Sequence, residues 1–102
     1  MQKVYIMSGA LRDHIMDQRR EAEEFSKQPG CFMGMMPHPA KTEYWSERVP
    51  TGTLEEYNRI VHVEDAYYIT ADHTSKSYAR SLDFSNWSDK NLERHIEKMV
   101  AY

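Results

Sequence analysis

The sequence predicts a small α+β domain, on three observations. Leu11, Ile15, Gln18, Ala22 and Phe25 recur at alternating steps of four and three, the stripe of an amphipathic helix. Runs rich in β-branched and aromatic residues (KVYIM, TEYWSERV, RIVHVE, AYYITA) lie between turn signals, as strands do. A second helical stripe, Leu92, Ile96 and Met99, closes the chain. Strand, helix, loop, several strands, helix is the order expected of an antiparallel or mixed sheet of about three to five strands with helices on one face.

Each element has its own signal. Residues 3–7 (KVYIM) read as a short buried strand because turn residues follow at once. Ser8 is then placed to cap a helix over residues 9–26, its hydroxyl accepting from a free amide of the first turn. Pro29-Gly30 ends that helix. Residues 31–40 (CFMGMMPHPA), with one glycine and two prolines, read as irregular. Residues 42–49 read as a strand, and Pro50-Thr51-Gly52 as a turn. Thr53 and Glu56 match a capping box, followed by a strand over residues 59–64, a tight connection at Asp65 and a strand over 66–71. Residues 77–82 suggest one more strand, and Ser88 caps a last helix over residues 88–100.

Length and composition bound the function classes. At 102 residues the chain is the size of one domain, 1–102. Apolar residues at 40% supply enough large side chains to offset chain entropy. No apolar run approaches a bilayer span, and the first apolar stretch is too short and too soon charged for a secretory signal. One cysteine, Cys31, precludes an internal disulfide and favours the reducing cytoplasm, that of the host for a viral protein. A net charge of −3 with both signs interspersed argues against a nucleic-acid partner. No cofactor motif is present, and none of the Gly-rich nucleotide fingerprints occurs.

Six groups of residues bear on chemistry. A helix start at Ser8-Gly9, with Arg12 one turn in, suits a small anion, although an ordinary capped helix is the favoured reading. Cys31, Met33, Met35, Met36 and His38 are soft-ligand types, but without the spacing of a metal motif they read as gap-fillers or an adaptable protein-binding surface. His62 and Glu64 would share a strand face, with Asp72 and His73 near them across a hairpin, an arrangement suited to zinc or acid–base work. His14 and His95 sit at the edges of helical stripes, as half-buried boundary residues do. Lys90, Arg94 and Lys98 run beside Asp89, Glu93 and Glu97, which describes a solvated helix face. Seven Tyr and two Trp exceed what one small core needs, leaving Tyr44, Trp45, Tyr67 and Tyr68, with Met35 and Met36, as interaction candidates.

The expected function is therefore a small non-catalytic interaction protein that binds and modulates a larger macromolecular partner, with inhibition the favoured mode, and that self-associates. In general character the chain resembles small accessory proteins of bacteria and their viruses, a resemblance that assigns no residue a role. Two alternatives stand beside it: a binder of a small anion such as a nucleotide, through Ser8, Gly9 and Arg12, and a small metal-dependent hydrolase using His62, Glu64 and His73.

Overall fold

The computed structural model describes residues 4–101. Its elements are α1 (Gly9–Ser26), α2 (Thr42–Arg48), α3 (Leu54–His73), α4 (Lys76–Leu82), a 3-10 turn (Phe84–Asn86) and α5 (Asp89–Val100). The chain divides into two compact units, Met1–Tyr57 and Asn58–Tyr102, and the first turn of α3 counts with the first of them.

In the N-terminal unit, α1 runs as its stripe demands. Ser8 accepts from the Leu11 amide at 3.1 Å, and Leu11, Ile15 and Ala22 are buried. The segment before it has no regular structure but is tied down at two points. The Ser8 amide donates to Gly52 O at 2.8 Å, and the Tyr5 hydroxyl donates to Val49 O at 2.8 Å. Gly52 has φ +69, and a Cβ there would collide with Ile6 O and crowd Met7 Cα at 3.2 Å, so only glycine fits under the strap. Trp45, Val49 and Tyr57 are further buried apolar side chains of this unit.

In the C-terminal unit the core is Ala66, Phe84 and Leu92, flanked by Val63, Tyr67, Leu82, Trp87 and Ile96. The rings of Phe84, Trp87 and His95 meet pairwise, with centroids 4.8 to 5.3 Å apart. Three caps set helix starts here and in α1: Ser8, Ser75 for α4 through the Tyr78 amide, and Ser88 for α5 through the Asn91 amide.

The expected α+β sheet is overturned: the structure is 68% helix, and no strand occurs among the described residues. Both expected helices stand, over Gly9–Ser26 and, behind its Ser88 cap, Asp89–Val100. Every expected strand does not. Residues 42–49 alternate in polarity, but Trp45 and Val49 are buried while Glu47 between them is exposed; a strand would put all three on one face, whereas a helix keeps Trp45 and Val49 together and turns Glu47 away. Residues 59–64 and 66–71, with the connection at Asp65, are one uninterrupted stretch of α3. There Val63, Ala66, Tyr67 and Thr70 form a helical stripe against the core. β-Branched residues cost only tenths of a kcal/mol each in a helix, less than burying that stripe returns. Residues 77–82 fall within α4. Of the expected N-terminal strand, Lys3 lies outside the described residues and residues 4–7 pair with no ladder. The capping box is half made: Thr53 Oγ1 accepts from the Glu56 amide at 3.2 Å, while the Glu56 carboxylate accepts from the Thr51 amide at 2.9 Å.

Candidate functional site

The segment between α1 and α2 concentrates exposed apolar surface. Phe32 is 84% exposed, and Met33 and Met35 are each 46% exposed, on backbone with no regular structure. Leaving such side chains in water forfeits the gain of burying them, roughly 1.5–3 kcal/mol for each Phe or Met fully buried. The segment is nevertheless pinned. Ser26 Oγ accepts from the Met33 amide at 3.0 Å and donates to Met33 O at 3.3 Å. Arg19 donates to Met36 O at 2.6 Å, and Trp45 Nε1 to His38 O at 3.1 Å. The α1 helix and the buried Trp45 thus hold the segment at both ends while its apolar side chains stand outward. Phe25 and Met16 on α1, and Val4 and Ile6 ahead of it, are further exposed apolar residues of the same unit.

The interaction candidates divide. Met35, Tyr44 and Tyr68 are exposed; Met36 and Tyr67 are half-buried; Trp45 is core. Phe32, more exposed than any of these candidates, is legible in the sequence only as a neighbour of the methionines, because nothing in local composition separates an outward Phe from an inward one. The helix-start candidates divide as well. Ser8 spends its hydroxyl on Leu11 and its amide on Gly52, Gly9 has open space around it, and Arg12 lines a cavity with Tyr5, Met7, Met16 and His38.

The hydrolase candidates do not assemble. His62, Glu64 and His73 are all on α3, where no hairpin exists to fold His73 back. His62 and His73 are eleven positions apart, roughly 16 Å along the axis at about 1.5 Å per residue. Glu64, two positions from His62, lies on another side of the helix. Among the described residues no group of three or more His, Cys, Asp or Glu is placed to hold a metal ion. His62 instead meets Asp89 Oδ1 through Nδ1 at 3.2 Å, and Arg59 reaches the same oxygen at 2.8 Å. Arg59 also donates to Ser85 O at 3.1 Å and to Trp87 O, so it ties α3 to the turn ahead of α5. The hydrogen bonds from Arg59 and then His62 hold the Asp89 carboxyl below the usual carboxylate range. A carboxylate orienting a histidine is part of a catalytic triad, but among the described residues no Ser, Thr or Cys hydrogen-bonds to His62.

His14 is half-buried and its ring stacks edge-on to Tyr57 at 5.1 Å. His95 is half-buried against Thr70. No helix among the described residues is long and apolar enough to cross a membrane. Compared with protein families, curated proteins and solved structures, the chain matches none.

Proposed function

We infer that this chain is a small non-catalytic interaction protein whose contact surface is the Phe/Met segment between α1 and α2. The observation that carries the reading is Phe32, Met33 and Met35 standing exposed on a segment anchored by Ser26, Arg19 and Trp45. Anchoring lowers the ordering cost of association, and unbranched thioethers repack to fit a partner. The partner this surface suits is a larger protein offering an apolar pocket for the Phe32 ring, with room for the two methionines around it. The exposed Tyr44 ring, at the start of α2, adds an amphipathic contact in the same unit. Inhibition is the simplest consequence of such binding, since a domain with no chemistry of its own acts by occupying a partner's surface. The case for self-association by sheet edges falls with the sheet.

A photo-crosslinking residue at position 32, installed in the native cell, tests this. The expected result is one predominant adduct to a larger protein, lost in competition with the unlabelled chain. A Phe32→Ser/Met35→Ser double variant then elutes alone on size exclusion while the parent elutes with its partner. Equal co-elution of variant and parent overturns the assignment of the surface.

A further inference from the structure

A second feature of the N-terminal unit stands apart from the exposed segment. A cavity of about 450 Å³ is lined by Tyr5, Met7, Arg12, Met16, His38 and Thr42, with Pro39 and Ala40 between the last two. That volume is in the range that holds small organic ligands. Its wall is mainly apolar: two thioethers, a phenol ring and a proline ring. Among the described residues, the lining side chains with a donor to offer are Arg12, His38 and Thr42. Among the described residues the Arg12 guanidinium and the Thr42 hydroxyl have no hydrogen-bond partner. His38 Nδ1 accepts from the Ala40 amide at 2.9 Å, so the ring proton is on Nε2 and is available to an acceptor.

The sign of the site is unusual for this chain. Asp and Glu outnumber Lys and Arg by 16 to 13, yet among the described residues no carboxylate lines the cavity. Glu56, the acid whose charge reaches Tyr5, is occupied by the Thr51 amide and hydroxyl. Tyr5 brings no charge either. Its hydroxyl is given to Val49 O, and burial, then Glu56, push its ionisation above the ordinary phenol range.

We propose that this cavity is a binding site for a small organic carboxylate with an apolar body, the carboxylate on Arg12 and the body between Met7, Met16 and Tyr5. One guanidinium matches one carboxylate as a planar two-point contact, with His38 and Thr42 as further donors. A phosphate dianion, by contrast, would meet a single fixed cation and an apolar wall that offers it nothing.

The test uses the full chain with phenylacetate as probe, phenylacetamide as its neutral counterpart and inorganic phosphate as the anion without a body. Calorimetry gives affinity, and methionine-methyl NMR localises it. Phenylacetate is expected to move the Met7 and Met16 methyl signals and to bind at least about tenfold more weakly to Arg12→Gln, the loss of a charge-assisted hydrogen bond. Phenylacetamide is expected to lose a similar factor on the parent. Arg12 is exposed, so its replacement leaves the fold intact, and Thr42→Val provides a second, smaller decrement at a site equally open to solvent. Unmoved Met7 and Met16 signals, equal binding to Arg12→Gln, or phosphate binding as tightly as phenylacetate each overturn the proposal. Because Phe32 does not line the cavity, failure here and failure of the interaction surface are read separately.

Discussion

Thr70 and His95 are joined by a hydrogen bond of 2.7 Å whose direction is fixed by a third group. The Thr70 hydroxyl, fully buried, gives its one proton to Ala66 O at 2.7 Å. It therefore accepts from His95, and the imidazole carries its proton on Nε2. Burial, with Lys98 adding a like charge, holds the His95 pKa below the ordinary value of 6.5. The folded protein thus prefers neutral His95 and the unfolded chain takes up the proton first. Stability from this site is fully present above about pH 6.5 and is lost as pH falls toward the lowered folded value. Urea midpoints measured across this window are expected to drop with acidification. In His95→Gln, which keeps a nitrogen donor for Thr70, the drop over that window is expected to flatten.

Asp89 acts lower on the pH scale. Its carboxyl is held below 3.8 by Arg59 and then His62, so its contribution is present above that value and lost as pH falls further. Arg59→Ala removes that support together with the bonds to Ser85 O and Trp87 O. The expected loss is about 1–3 kcal/mol by urea denaturation at neutral pH, with faster hydrogen exchange in the segment before α5.

Gly52→Ala is expected to destabilise by about 1–3 kcal/mol, because a positive φ and a collision with the N-terminal strap act together. The strap is expected to detach, and faster exchange of the Ser8 amide, whose acceptor is Gly52 O, is the specific readout.

Trp45 and Phe32 provide a contrast of two large aromatic residues in one unit. Trp45→Ala is expected to cost about 3–5 kcal/mol, since the indole is buried and its Nε1 holds His38 O. Phe32→Ser is expected to stay within about 0.5 kcal/mol, because its ring is already in water. A large loss at Phe32 would show that the ring packs against the unit and is not a free contact surface.

Ser26→Ala removes both bonds to Met33. Exchange of the Met33 amide and proteolysis within the segment are expected to rise with little change in global stability, since the site is exposed.

The elements legible in the sequence are those whose signals are local and self-consistent. The α1 stripe, its Ser8 cap and its Pro-Gly end agree with one another, as do the Ser88 cap and the stripe of α5. Propensity misled where a few residues served two periods. Ile60, Val61 and Val63 are β-branched, and Trp45 and Val49 sit in an alternating run, yet what decided both was which side chains had apolar partners. Those partners, such as Phe84 and Leu92 for Ala66, are far away in sequence, and no local window contains them. The candidate sites followed the same division. That the Met-rich segment is irregular was legible from its glycine and prolines. That Phe32 faces water, and that Arg12 meets His38 and Thr42 around one cavity, depended on tertiary packing, because exposure and proximity are properties of the folded chain and not of any stretch within it.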